Sequence, residues 1–408
     1  MINQIIHGDC FDVLKDIDSS SIDLILTDPP YGLKFMGKDW DHGVPGVQFW
    51  EQALRVAKPG THLMAFGGTR TFHRLAVAIE DAGWEIRDTL MWVYGSGFPK
   101  SLDVSKAIDR AAGAEREVVS IGMSGTTAIW SENGGMSEYN STAPANPEAK
   151  QWEGWGTALK PAWEPIILAR KPLIGTVAEN VLRYGTGGIN VDGCRVETDP
   201  ADPVHSAIYY AKPSIAYGKF ASKENGEARS MAPPIEGRWP ANLIHDGSEE
   251  VMGLFPETKN GGKRGVIRQH KGSGGSQAGR IYGVYNHREV IDIYGGDSGS
   301  TSRFFYCAKA SRKERGEGNT HPTVKPLALM KYLITLGLPP GGVVLDPFCG
   351  SGTTALACKE LGRNYICIEK ELEYYRIACN RLNQPIEHIP DESIEEPVDN
   401  SPLQLALF

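Results

Sequence analysis

The chain has 408 residues, 41% hydrophobic and 23% charged, the make-up of a globular protein large enough for one big core or two modest ones. No apolar run approaches the ~18 residues of a membrane span. The opening MINQIIHGDCFD lacks the basic and apolar regions of a signal peptide, so a cytoplasmic location is expected. Seven cysteines, scattered and nowhere spaced CxxC, argue against a disulfide framework or a zinc site, and no metal is expected.

The net charge of −8 conceals an asymmetry. Residues 259–315 hold twelve Lys/Arg against four Asp/Glu, whereas residues 387–399 hold six acidic residues and no Lys or Arg. A phosphate backbone responds to the local field, so the basic segment keeps nucleic acid open as a partner.

In chain order, residues 3–7 and 23–27 (DLILT) are short apolar runs ending in turn residues, and they predict buried parallel strands. A helix over 49–57 is stopped by Pro59-Gly60. A strand over 62–66 ends at Gly67-Gly68, and a helix over 71–82 is stopped by Gly83. Residues 90–94 and 165–169 read as strands. The polar stretch 98–160 between them carries one helix over 102–112, with Trp130, Trp152 and Trp155 beyond it. Residues 172–318 are loop-rich and show no sustained periodicity. The alternation returns with helices at 326–337, 353–361 and 371–382 and strands at 343–346 and 365–369, and an acidic, proline-containing tail follows. Alternation of this kind predicts an α/β fold with a doubly wound sheet.

Two strings carry chemistry. VVLDPFCGSGTT (343–354) is a strand, a turn with Gly350 and Gly352, and a helix start, without the Lys of a phosphate loop. The next strand ends in Glu369, placed to accept hydrogen bonds from ribose hydroxyls. The second string, LILTDPPYG (24–32), puts Asp28-Pro29-Pro30-Tyr31 at a strand end. DPFCGSGTT with its downstream acid resembles motifs I and II of S-adenosylmethionine methyltransferases. DPPY resembles motif IV of the adenine-N6 and cytosine-N4 DNA methyltransferases, HPTVKPLALM (321–330) is similar to motif X, and Gly8-Asp9 to motif III.

The order, with DPPY early and the cofactor motifs late, resembles the circularly permuted β group of amino-methyltransferases. The resemblance implies a Rossmann-like methyltransferase fold. Residues 1–171, with the insertion 98–160, and 320–383 are the two halves of the catalytic domain. Residues 172–319 are a target-recognition region, and 384–408 a disordered tail.

S-adenosylmethionine is the implied cofactor and duplex DNA the implied substrate. Asp9, Asp346, Phe348, Gly350, Gly352, Thr353, Glu369, Thr323 and Lys325 are expected at the cofactor, with His321 on the same motif. Asp28 and the Pro29 carbonyl would accept from the target amine, Pro30 would stiffen the turn, and Tyr31 would stack on an extruded base. The family pattern favours adenine where motif IV begins with Asp; cytosine-N4 methylation is the alternative. A release-factor glutamine methyltransferase fits less well, because those enzymes place motif I before motif IV. A DNA-binding protein with a dead cofactor site fits less well because the motifs are intact. Glu179-Asn180-Val181 spells a string of the cytosine-C5 enzymes, but the chain has no Pro-Cys pair to supply their nucleophile. Arg264, Arg268, Lys271, Arg280, Arg303, Arg312 and Lys313 are expected to contact phosphates.

The final QLALF resembles the short peptide by which bacterial polymerases and repair proteins dock on the sliding clamp. Leu405, Leu407 and Phe408 would enter apolar pockets and Gln404 would set polar register, with the acidic tail as tether. Deleting 404–408 is expected to leave methylation of a short duplex unchanged while abolishing clamp binding. Absence of binding by the intact chain at tens of micromolar clamp would contradict the assignment.

Overall fold

The computed structural model describes residues 2–33, 43–97, 99, 101–124, 137–198, 237–260, 297–308, 314 and 318–386. Arg264, Arg268, Lys271, Arg280, Arg312, Lys313 and the peptide 404–408 lie outside them, as does Trp130. Among the described residues no helix is long and apolar enough to cross a membrane.

The first hundred residues supply β1 (Gln4–His7), β2 (Ile22–Thr27), β3 (Ala57–Phe66) and β4 (Glu85–Val93). A hairpin of β5 (Val118–Ser124) and β6 (Ser137–Thr142) follows, then β7 (Trp163–Arg170) and β8 (Leu243–His245). β9 (Glu257–Asn260) and β10 (Asp297–Ser300) form a separate antiparallel pair, and β11 (Tyr306–Cys307), β12 (Val343–Asp346) and β13 (Asn364–Glu369) complete the set. Among the described residues nine strands form one sheet, in the order β1-β13-β12-β2-β3-β7-β4-β8-β11. Its pairings are parallel except for β7, which runs antiparallel between β3 and β4.

The central strands β2 and β3 are buried on both faces, which is why they read as largely apolar runs. All six residues of β2 are buried. Leu24 and Leu26, with Met64 and Phe66 of β3, join the core containing the helix Leu327–Gly337. Ile25, Leu63 and Ala65 point the other way, into the core of the helices Val47–Val56 and Phe72–Asp81. Burying each such large side chain contributes about 1.5–3 kcal/mol. The helix Leu327–Gly337 lies so close to the sheet that a Cβ on Gly337 would sit 2.8 Å from both Leu24 Cδ1 and Met64 Cε.

The strand-and-helix alternation expected from the sequence is present on both sides of the loop-rich stretch. β3 starts earlier than expected, at Ala57, and passes through Pro59-Gly60 with a register shift against β2 and Gly60 at φ +80°. β8 and β11, both from residues 172–318, extend the main sheet beyond β4. The same stretch contains a helix, Val177–Tyr184, opened by a full capping box between Thr176 and Glu179 and closed by Gly185 in the left-handed region. Glu179-Asn180-Val181 is part of this helix. Asn180 is fully buried: its amide donates to the carbonyls of Pro59 (2.9 Å) and Thr186 (2.8 Å) and accepts from the Ile174 amide (3.0 Å).

Asn180 therefore fastens this helix to the entry of β3. Asn180→Ala leaves those buried groups short of a partner, and a stability loss of about 1–3 kcal/mol is expected in urea denaturation followed by circular dichroism. A loss near zero would show that the anchor is dispensable.

Candidate active site

At the middle of the sheet the chain turns outward in opposite directions from β2 and β12, and the carboxyl ends of these neighbours define a switch point. Asp346, the last residue of β12, is buried there. Its Oδ1 accepts from Thr27 Oγ1 (2.8 Å) and the Phe348 amide (3.2 Å), and its Oδ2 accepts from Thr354 Oγ1. The turn that follows carries Gly350 at φ +51° and Gly352 at φ +77°. A Cβ on Gly350 would meet the His321 ring at 2.7 Å, and one on Gly352 would meet the Ala378 Cβ at 2.9 Å, so both positions exclude a side chain. Thr353 opens the helix Thr353–Glu360 and accepts from Arg381, which also reaches Ser351. The Phe348 ring lies 5.1 Å from that of Phe49.

Glu369 ends β13 and folds its carboxylate over the turn, accepting from the amides of Gly350 (2.7 Å) and Glu371 (2.8 Å). β1 lies beside β13, so Asp9 comes to the same rim. Asp9 caps the helix Cys10–Lys15 through the Phe11 amide (2.9 Å) and pairs with Lys370 at 3.1 Å. Burial raises both inner carboxyls: Asp346 to about 6, against the opposing bonds from Thr354 and Thr27, and Glu369 to about 7, against the amides of Glu371 and Gly350.

One strand over, Asp28 leaves β2 with Pro29 buried and Pro30 half-buried behind it. Asp28 Oδ2 is 2.7 Å from Lys325 Nζ, and its Oδ1 accepts from the Tyr31 hydroxyl at 2.8 Å. Lys325 also reaches Glu164 Oε2 at 3.1 Å and the Tyr31 hydroxyl at 3.3 Å, beneath the Phe66 ring. Tyr31 further approaches Glu164 Oε2 at 3.3 Å, and the Tyr94 hydroxyl donates to Glu164 Oε1 at 3.4 Å. Burial works against the charge on Lys325, but Asp28 and Glu164 outweigh it and lift the group above the usual ammonium range. Burial, with both carboxylates beside it, holds the Tyr31 phenol protonated.

The segment 321–325 thus touches both halves of the site. The His321 ring supports the glycine turn, held by its own contact with the Thr323 carbonyl (2.8 Å) and edge-on to Tyr374. Lys325, expected at the cofactor, has its ammonium 2.7 Å from Asp28 Oδ2. Glu164 and Tyr94 escaped the sequence reading. The only signal was an acidic residue at the start of an otherwise apolar strand. Arg303, the one phosphate candidate within the described residues, directs its guanidinium at the Gly299 and Ser300 carbonyls and at Thr258. Cys349 and Cys367 are buried side by side in the core, and the thiol of Cys349 is held well above its usual range by Cys367 and by burial.

The strand-end Asp28-Pro29-Pro30-Tyr31 thus lies one strand from the glycine turn. The N6 and N4 methyltransferase family, described as DNA methylase, matches residues 22–380, and the chain belongs to it. Its members move a methyl group from S-adenosylmethionine to an exocyclic amine of adenine or cytosine in DNA. The chain is 24% identical to the type II methyltransferase M.HindIII of Haemophilus influenzae, over 94% of this chain and 96% of that one. Among solved structures it is similar to the M1.HpyAVI–SAM complex, at 18% identity, covering 93% of this chain and 98% of that one with a TM-score of 0.39. It is likewise similar to the PvuII DNA methyltransferase, described as cytosine-N4-specific, at 14% identity, covering 96% and 89% with a TM-score of 0.42.

The site fits the cofactor. The turn carries no side chain at Gly350 or Gly352 and packs its backbone closely on His321 and Ala378. Glu369 keeps lone pairs for hydroxyls beyond its two amide bonds, and Phe348 offers an apolar ring at the rim.

For Glu369 the folded carboxyl titrates above its unfolded value of 4.5. The stabilisation this gives is complete below about pH 4.5 and is lost as pH rises through about 7. Thermal melting of the cofactor-free protein should therefore show the parent losing stability relative to Glu369→Gln across that window. Parallel curves from pH 4 to 8 would remove the buried-acid assignment.

Proposed function

We propose that this chain is a site-specific adenine-N6 methyltransferase acting on duplex DNA, with the circularly permuted motif order of the β group. The observation that carries the proposal is the position of Asp28: a carboxylate at the end of β2, one strand from the glycine turn, with both oxygens already oriented by Lys325 and Tyr31.

S-adenosylmethionine supplies an electrophilic methyl group when bound. Around it, Glu369 would accept the ribose hydroxyls and Asp9 would flank the adenine. Gly350, Gly352, Phe348 and Thr353 would form the wall, with Asp346 fixing the turn and Thr323 closing the segment that precedes it. The target amine is a weak nucleophile because its lone pair is delocalised into the ring. Hydrogen bonds from its two N–H groups to Asp28 and to the Pro29 carbonyl favour a pyramidal nitrogen and stabilise the positive charge that develops there. Pro30 keeps that carbonyl in place, and the Tyr31 ring offers a stacking face to the extruded base. An Asp in the first position of the motif supports adenine over cytosine. Residues 172–319 are the proposed source of sequence recognition, with the basic residues of 259–315 contacting phosphates and the terminal QLALF tethering the enzyme to a sliding clamp.

Asp28→Ala should cut turnover by at least a thousandfold while changing cofactor affinity less than threefold, because its bonds matter most in the transition state. Nucleosides from DNA methylated by the parent should contain N6-methyladenine. The appearance of N4-methylcytosine in its place would sink the base assignment.

A further inference from the structure

A cluster of two carboxylates and one ammonium surrounds the proposed acceptor, and its charge balance has a consequence. Lys325 is 9% exposed and touches both Asp28 (2.7 Å) and Glu164 (3.1 Å). The two tyrosines that complete the cluster, Tyr31 and Tyr94, are held in their neutral form by burial and by these carboxylates. Asp28 and Lys325 alone would sum to zero. With Glu164 included, the cluster carries one net negative charge.

The reaction is sensitive to that sum. A sulfonium is positive before transfer, and the amine nitrogen is positive after it, so the reacting atoms carry a positive charge throughout. An acceptor whose charge is cancelled by an adjacent ammonium stabilises such a path poorly; an acceptor inside a net-negative cluster stabilises it well. Lys325 is useful for geometry, because it holds Asp28 Oδ2 while Tyr31 holds Oδ1.

Resting on the reading of Asp28 as the amine acceptor, we infer that Glu164 is a positioning residue and counter-charge. It shares the Lys325 ammonium with Asp28, so that the site gains the orienting contact without losing its negative charge. Glu164 reaches this place from β7, the one antiparallel strand of the sheet core, and Tyr94, just after β4, holds its second oxygen. Glu164 acts through Lys325 and Tyr31 rather than on the substrate.

Removing the unit charge that shares Lys325 with Asp28, at an effective dielectric near 20, is expected to cost roughly ten- to a hundredfold in kcat/KM for S-adenosylmethionine, because the charge acts on the bound sulfonium as well as on the transition state. Glu164→Gln should show that loss. The double variant Glu164→Gln/Lys325→Gln, which restores one net negative charge, should recover at least threefold over Glu164→Gln alone. A second readout needs no turnover: calorimetric affinities for S-adenosylmethionine and for the uncharged S-adenosylhomocysteine. Their ratio should shift toward the uncharged ligand in Glu164→Gln and return in the double variant. If the double variant is no better than Glu164→Gln, or the ratio stays at the parental value, Glu164 is merely structural. Should Glu164→Gln fail to fold, Lys325→Gln carries the test, since its more negative site should bind the sulfonium with increased preference; an unchanged or reduced preference overturns the inference. Failure of the Asp28 reading is separate: Asp28→Ala would then turn over normally, whatever Glu164 does.

Discussion

The hydrogen bond from Thr27 to Asp346 is the contact on which the site depends. It joins residues 319 apart in the chain and ties together the ends of β2 and β12. Asp346 is shared further, with Thr354 at the start of the next helix and with the Phe348 amide in the turn, so one buried carboxylate sets the relation of DPPY to the glycine turn. Buried polar groups are stable only when satisfied, and Asp346 is satisfied from both sides of the seam. Displacing β2 would strip Asp346 of its Thr27 donor.

The legible parts of this protein are those whose physics is local. β2 and β12 read as strands because both faces are covered and their residues are mostly apolar, with polar side chains at Asp23, Thr27 and Asp346. The turns around Gly350 and Gly352 were visible because only glycine tolerates those backbone angles and approaches. Asp28, Asp346 and Glu369 stand out in the sequence because each lies at or just past the end of such a strand. Glu164 and Tyr94 do not, since their importance arises from an antiparallel insertion between two parallel strands, and nothing in the sequence near them specifies that neighbour. The helix Val177–Tyr184 was hidden for a different reason. It has only eight residues, and its apolar Val177, Val181 and Leu182 are exposed, so no apolar core face marks it in the sequence, although Thr176, Glu179 and Gly185 spell its two ends.

Lys325 shows where a motif stops being informative. The segment 321–325 belongs in sequence to the cofactor half, and His321 does support the glycine turn. Four residues on, the Lys325 ammonium lies on Asp28, at the end of β2. A resemblance assigns a segment to a region; which side of the seam each side chain serves is decided by the packing of Phe66, Tyr31 and Glu164 around it.

The seam also governs the order in which the protein can be made. β2, buried on both faces in the finished sheet, leaves the ribosome more than three hundred residues before β12, the strand that covers its inner edge. Until then the nascent chain holds an apolar strand with an unpaired backbone edge, a template for pairing with other chains. Pairing over such a separation is slow, because loop closure must precede the contacts that reward it. Synthesis of this chain should therefore lean on chaperones that shield exposed strands, and its yield should depend on translation speed through the long central region.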